Sequence, residues 1–241
     1  MNLLIDMGNS RIKWQLKQCE LIVAAGIEDY TGSWSWLNSV AHGYDVIHVW
    51  ASSVAGAKRE DQLQAFLSEA DLPPAQFAIV EGSWAEIQCA YKDYSKLGID
   101  RWLAIIAGRS LASGAYIVVD SGTAITVDSV TADGLHQGGW IGPGVALMRR
   151  AMSAQSQALA VALREPHKVY TDLGVDTQTA IDGAITAMGR GMIEAAMHSD
   201  VTQKTLVLTG GDAGCWHALY PEAVWAPDLV FIGLEQYFAV P

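Results

Sequence analysis

The sequence is short of cysteine, of basic charge and of long apolar runs, and each shortage closes off a class of function. Cys19, Cys89 and Cys215 lie far apart, with no C-x-x-C pair and no histidine at ligand spacing. A structural zinc site is therefore not expected, and an odd count without a secretion signal points to buried, inert thiols kept reduced in the cytoplasm. Lysine and arginine number 15 against 26 acids, a formal charge of −11. Such a surface repels a phosphate backbone, so nucleic acid is disfavoured as a partner. Apolar runs are brief: Arg109 stops the run from Trp102 to Gly108, and Glu235 stops the run from Leu229 to Leu234. Neither approaches the ~20 residues of a membrane span. Asp6 interrupts the first apolar run and no basic segment precedes it, which predicts a first strand and not a signal peptide. A G-x-x-x-x-G-K-[ST] loop and a G-x-S-x-G elbow are also missing, which excludes a P-loop enzyme and disfavours an esterase-type serine nucleophile.

What is present suits a well-buried α/β protein: 51% of residues are hydrophobic and 17% charged. Strand, turn and strand are expected from Leu3 to about Leu16, with further strands at Leu21–Ala25, Asp45–Trp50 and Gln76–Val80. Helical periodicity covers Lys58–Ala70 and about Asp100–Ala112, and Tyr30–Asn38 reads as a loop passing into helix. The pattern restarts at Ala115, with strands at Tyr116–Val119, Ile125–Val130, His136–Ile141 and Thr205–Leu208. Helices are expected at about Val145–Gln157, Thr177–Met197 and Leu229–Phe238. No low-complexity linker separates the halves, and the boundary is placed at Ser113–Gly114, giving residues 1–114 and 115–241.

One phrase occurs twice. LLIDMGNSRIKW opens the first half and IVVDSGTAITVD the second: an apolar strand, an aspartate, a glycine two residues on, a small polar residue, then alternation. An acid ending a buried strand is costly unless it is paired, hydrogen-bonded or open to a cleft. The glycine permits a tight turn, and the turn leaves backbone N–H groups bare of side chains, which suits a phosphate. One such hairpin is explained by Asp and Asn as ordinary turn formers. Two at matching register predict a pair of phosphate-binding turns facing across a cleft, with carboxylates placed to hold a cation. In an acidic chain, the few basic residues at that site or bound cations must supply the positive field.

The double hairpin resembles the signature of the actin, sugar-kinase and heat-shock ATPase superfamily, and VLTGGDA (Val207 to Ala213) resembles its adenosine motif. The resemblance implies an α/β fold of two duplicated actin-like, ribonuclease H-like halves, each a mixed sheet with helices, closing over a central cleft. Three further stretches narrow it. GIDR, Gly98 to Arg101, places an acid at a helix N-terminus and an arginine able to grip a carboxylate bidentately. GGWIGPG, Gly138 to Gly144, is a glycine-rich strand end with a rigid turn, and GVDTQTAI, Gly174 to Ile181, starts the long helix. In this order, with the two hairpins, they resemble type III pantothenate kinase from Asp6 to about Ala213.

That resemblance implies ATP-dependent phosphorylation of pantothenate, the first step of coenzyme A synthesis, in a cytoplasmic homodimer whose substrate pocket the partner subunit completes. Asp6 would orient the Mg²⁺–ATP phosphates, Gly8, Asn9 and Ser10 form the phosphate turn, and Lys13 set its ammonium against the phosphates. Thr123 would contact ATP through its hydroxyl and backbone, and Asp120 match the ligand of a monovalent cation, K⁺ or ammonium. Tyr91, Gly98, Ile99, Asp100 and Arg101 match the pantothenate-binding set, with Thr177 reaching in from its helix start and Asp100 as proton acceptor. Ser10 stands where the family usually has threonine, and Asp176 where many members have asparagine. The substrate threonine could then be Thr179, although Thr177 is favoured. Asp100 alone also reads as a helix-capping acid.

The remaining side chains have plainer explanations. Trp14, Trp50 and Trp102 fall in core patterns, Trp34 and Trp36 are undecided, and the scattered histidines, His48 among them as a core residue, are not expected to bind metal. Lys58–Arg59–Glu60–Asp61 reads as a solvated helix start. The small residues of Thr177–Met197 (Ala180, Gly183, Ala184, Ala187, Gly191) permit close packing, in the core or at a dimer interface. Two other functions compete with the kinase: phosphorylation of a different small metabolite, against which GIDR and GGWIGPG argue, and a catalytically silent nucleotide-binding regulator. Retention of Asp6, Lys13, Asp100, Arg101 and Thr123 together favours catalysis.

Overall fold

Alternation of apolar side chains along the first strands buries one face of a five-stranded sheet, and a computed structural model describes residues 1–30, 34–162 and 166–239. β1 (Asn2–Met7), β2 (Arg11–Gln18) and β3 (Leu21–Asp29) form an antiparallel meander. Past α1 (Ser35–Gly43), β4 (His48–Ser53) adds in parallel to β1; past α2 (Ala57–Glu69), β5 (Ala75–Phe77) adds in parallel to β4. The order is β3-β2-β1-β4-β5. Leu3, Ile5, Met7, Ile12 and Leu16 pack with Trp36, Leu37, Leu63 and Leu67 of the two helices. The undecided tryptophans belong to this core: Trp14 stacks on Trp36 at 5.0 Å between ring centroids, and Trp34 on Phe66 at 5.3 Å.

A small hairpin, β6 (Ser83–Trp84) with β7 (Ile87–Gln88), and the helix α3 (Ile99–Leu111) lead into a second sheet. β8 (Tyr116–Ser121), β9 (Ala124–Val130) and β10 (His136–Pro143) form its meander. After α4 (Val145–Ser153), α5 (Gln157–Ala162) and α6 (Thr177–Met197), β11 (Thr205–Thr209) runs parallel to β8. Past α7 (Ala213–Leu219), β12 (Val224–Trp225) runs parallel to β11, and α8 (Leu229–Ala239) follows. The order β10-β9-β8-β11-β12 repeats that of the first sheet strand for strand, with the same directions.

Packing gathers the chain into two compact units, each made of more than one stretch of sequence. One unit comprises Met1–Gly82, Tyr91–Ala107 and the chain from Leu229; the other comprises Ser83–Ala90 and Gly108–Asp228. The last helix returns to the first sheet because its side chains are partnered there: Glu235 binds Lys17 at 2.5 Å and Phe238 stacks on Trp50 at 5.3 Å. Gly108 groups with β8 because the Tyr116 ring lies against it.

Several element ends also move. β4 begins at His48, not Asp45, since Asp45 O instead accepts the N-terminal ammonium of Met1 at 2.7 Å. β10 continues through Gly142–Pro143, read as a turn, because Gly142 still pairs with Ile125 and Pro143 with Ala124. The helix expected to reach Gln157 breaks into α4 and α5. α6 runs from Thr177 to Met197 as expected, and Asp182 buries its carboxylate between Arg149 of α4 and His167, whose Nδ1 lies 3.1 Å away. Among the described residues no helix is long and apolar enough to cross a membrane.

Candidate active site

At the end of β1, the register sets Asp6 opposite Lys13 on β2 and Ser52 on β4, so the three side chains share one face of the sheet. The turn that follows is closed by the Gly8 N–H donating to Arg11 O at 3.0 Å, with Asn9 and Ser10 exposed at its tip. Asp120, at the same place in the second sheet, lies opposite Thr126 on β9 and Thr209 on β11. The two turns differ in length: Met7 pairs with Ile12 across the first, whereas Ser121 pairs with Ile125 across the second, one residue shorter. The registers therefore do not match residue for residue. Lys13 corresponds to Thr126.

Three stretches singled out in the sequence meet around the second turn. The Gly144 N–H donates to Thr123 O at 3.1 Å, and the Asp212 N–H to Ser121 O at 2.8 Å. Gly210 has φ of +92°, and a Cβ there would overlap the Asp120 carboxylate and the Ser121 carbonyl, so the TGGDA loop lies directly on Asp120. Burial pushes the Asp212 carboxyl above its usual range, with His167 acting in the opposite direction. Burial, then Asp212, raises the Cys215 thiol and keeps it protonated. The thiols are less hidden than expected: Cys19 is exposed and Cys89 and Cys215 are half-buried, since none falls on an inward-facing strand position.

In the first unit, the residues expected to bind substrate gather at the head of α3. The Arg101 side chain is almost wholly buried, donates from Nη1 to the Tyr91 hydroxyl at 3.1 Å, and holds its guanidinium 5.8 Å from that ring's centre. Asp100 Oδ1 accepts from the Arg101 N–H at 2.8 Å, and a Cβ at position 98 would lie 2.5 Å from the same oxygen, which accounts for Gly98. Ile99 is buried beside them. The polar loop between Tyr91 and Gly98 is braced by Asp93, which accepts from the Ser95 N–H at 3.2 Å and whose carboxyl the Ser95 side chain holds below its usual range.

Thr177 belongs to the other unit, as the exposed first residue of α6. Asp176 caps that helix: its carboxylate accepts from the Thr179 N–H at 2.8 Å, while the Thr179 hydroxyl accepts from the Asp176 N–H at 3.2 Å. The added negative charge at position 176 is thus explained by the cap, and the Thr179 hydroxyl is engaged in it.

Two residues at the first turn escaped the sequence reading. Tyr30 donates its hydroxyl to Gly8 O at 2.7 Å, and Arg59, read as part of a solvated helix start, donates from Nη1 to Asn9 O at 3.2 Å. No local pattern announces either, because both reach the turn only through packing of the first unit. His48, expected in the core, is exposed and stacks on Trp50 at 5.6 Å. Among the described residues no three His, Cys, Asp or Glu side chains gather as a metal site.

Two mixed sheets of one order, each with an aspartate-bearing hairpin on its central strand, define an actin-like kinase fold. Solved structures of that class overlay on the chain. A Campylobacter jejuni protein assigned to the Baf family of transcriptional activators matches with TM-score 0.66 at 21% identity, covering 98% of this chain and 97% of its own. A Sinorhizobium meliloti protein assigned as a 2-dehydro-3-deoxygalactonokinase matches with TM-score 0.64 at 14% identity, covering 100% and 97%. The family model for type III pantothenate kinase matches residues 2–199. Type III pantothenate kinases of Chromobacterium violaceum and Teredinibacter turnerae are 36% and 34% identical, over 97% of this chain and 98% and 97% of their own lengths. The chain belongs to the type III pantothenate kinase family, and it is a phosphotransferase.

Proposed function

We propose that the protein transfers the γ-phosphoryl group of ATP to the primary hydroxyl of pantothenate, giving 4′-phosphopantothenate and ADP at the entry to coenzyme A synthesis, in the cytoplasm. The observation that carries this reading is the gathering of Tyr91, Gly98, Ile99, Asp100 and Arg101 at the head of α3 in a chain of this family. Arg101 is suited to the pantothenate carboxylate because its planar fork is always charged and is already fixed against Tyr91. Thr177 adds a hydroxyl, and Thr179 is the weaker candidate because its own is spent on the helix cap.

Phosphoryl transfer needs positioning and charge neutralisation more than covalent help. Asp6 and Lys13, side by side in register, together with the turn of Gly8, Asn9 and Ser10 and the amides of its last two residues, are assigned to the phosphates of Mg²⁺–ATP. Thr123 is assigned to the same nucleotide. Asp120 stands among hydroxyl-bearing neighbours, Thr126 and Thr209, without a second carboxylate in register. One acid with neutral oxygens fits a weakly hydrated monovalent cation, K⁺ or ammonium, better than a divalent one. Asp120 and these hydroxyls would hold such an ion, which would supply positive charge there. Asp100 orients the substrate hydroxyl in line with the γ-phosphorus. The oxygen–phosphorus bond forms as the bond to ADP breaks, and the proton of the substrate hydroxyl passes late to Asp100.

A homodimer belongs to the same proposal. Supporting it, α6 exposes Ala180, Ala184, Ala187 and Gly191, and the edge strand β10 exposes Trp140 and Ile141, both faces a second copy could cover.

The test is ADP formation from Mg²⁺–ATP with and without pantothenate, in K⁺ and in Na⁺, for wild type and Asp100→Asn, with sedimentation of the same samples. Expected are turnover that needs pantothenate and K⁺, a loss of about 100-fold or more in the variant, and a dimer mass. ATP binding with indifference to pantothenate would leave the fold standing and move a regulator or another metabolite kinase to the front.

A further inference from the structure

The turn between β1 and β2 is held by two side chains that lie far from it in sequence. Tyr30, just past β3, donates its hydroxyl to Gly8 O at 2.7 Å; Arg59, in the first turn of α2, donates to Asn9 O at 3.2 Å. They also hold each other: the Arg59 guanidinium carbon sits 3.6 Å over the centre of the Tyr30 ring. Successive carbonyls of one turn are therefore gripped by one stacked pair.

The consequence follows from the planar trans peptide, in which each N–H points opposite the carbonyl of the residue before it. With Gly8 O fixed toward Tyr30, the Asn9 N–H is turned away from Tyr30. With Asn9 O fixed toward Arg59, the Ser10 N–H is turned away from Arg59. We propose that Tyr30 and Arg59 are a positioning pair that sets these two peptide planes so that the Asn9 and Ser10 amides are presented to the nucleotide phosphates. Arg59 also adds a positive charge beside the turn, in a chain whose formal charge is −11. Burial raises the Tyr30 phenol above its usual range; Arg59 opposes that and the nearby Asp6 carboxylate adds to it. The hydroxyl thus keeps the proton it donates. The proposal rests on reading Gly8–Ser10 as the ATP-phosphate turn.

The test is calorimetric binding of Mg²⁺ with a non-hydrolysable ATP analogue to wild type, Tyr30→Phe, Arg59→Gln, Arg59→Lys and the double variant Tyr30→Phe/Arg59→Gln. Hydrogen exchange at Asn9 and Ser10, melting curves and the KM for pantothenate accompany it. Each single change to Phe or Gln is expected to weaken nucleotide about tenfold, the loss of one charge-assisted or buried hydrogen bond. The KM for pantothenate is expected to stay within about twofold, and exchange at the two amides to quicken while the melting curves change little. The double variant should lose less than the product of the singles, because both hold one turn. Lysine at 59 should restore binding only in part, keeping charge without the stacked fork.

Unchanged nucleotide affinity in both single variants overturns the pair while leaving pantothenate phosphorylation intact, and so does full rescue by lysine. Nucleotide binding without pantothenate-dependent turnover in wild type instead removes the proposed reaction, and the variants still decide the pair. Absence of nucleotide binding in wild type removes both.

Discussion

Gly210 shows how a residue with no side chain can govern a charged one. Its left-handed backbone brings the TGGDA loop onto Asp120, where a methyl group would meet the carboxylate and the Ser121 carbonyl. Gly210→Ala is expected to destabilise by at least about 1 kcal/mol from the left-handed conformation alone, and to raise the KM for ATP as the loop lifts. Gly211, next to it, has open space around its absent Cβ and φ in the ordinary range, so Gly211→Ala is the control for stability and should leave the melting curve unchanged. Melting curves and initial rates on the two variants check the pair, and equal behaviour would remove the assigned role of Gly210. At this scale the sequence was informative wherever chemistry and backbone geometry coincide in a few consecutive positions, as at Asp6, Asp120 and Gly98–Arg101. It was silent on Tyr30 and Arg59, whose contacts with Gly8 and Asn9 are made by tertiary packing. It misled on His48, because strand alternation tells which residues share a face and not whether a helix covers it.

Among the elements, α6 was the most legible, because its cap is written in adjacent residues. The Asp176 carboxyl is held below its ordinary range by the Thr179 amide first and the Thr179 hydroxyl second. A group with its folded pKa lowered contributes stability above its unfolded pKa, about 3.9 for aspartate, and loses that contribution as pH falls through the lower folded value. Asp176→Ala is therefore expected to melt below wild type at pH 7, with the gap closing under about pH 4. A gap that persists in acid would assign the effect to something other than the carboxylate. Elements without such local signals were missed or misjudged. β6, β7 and β12 have two residues each, too few to show a period, and the seven residues of α7 were assigned to no helix. β10 outran its expected end because Gly142 and Pro143 read as turn formers, yet an edge strand tolerates a proline where no hydrogen-bond donor is needed.

The molecule as a whole carries a formal charge of −11 and is assigned two anionic substrates. Its general field repels both, and Lys13, Arg59 and Arg101 must act against that field at short range. Added salt screens the distant acids more than the close cations, since the Debye length is about 8 Å at physiological ionic strength. The KM for ATP is therefore expected to fall as choline chloride is added at constant K⁺ and Mg²⁺. A rise instead would mean that the local cations already dominate the approach. The internal repetition of topology was legible from the doubled hairpin alone. The return of α8 to the first sheet was not, because it depends on partners such as Lys17 and Trp50 far away in the chain.

The face-to-face contact of Trp14 with Trp36, their rings only 8° from parallel, gives the molecule an optical property. Two indoles so close couple their electronic transitions, and the coupled pair imprints a signed doublet on the circular dichroism spectrum that isolated tryptophans lack. Trp14 is the neighbour of Lys13 on β2, and Trp36 lies in α1. The doublet is thus a built-in gauge of how firmly that strand is seated, readable without a label while nucleotide is titrated in.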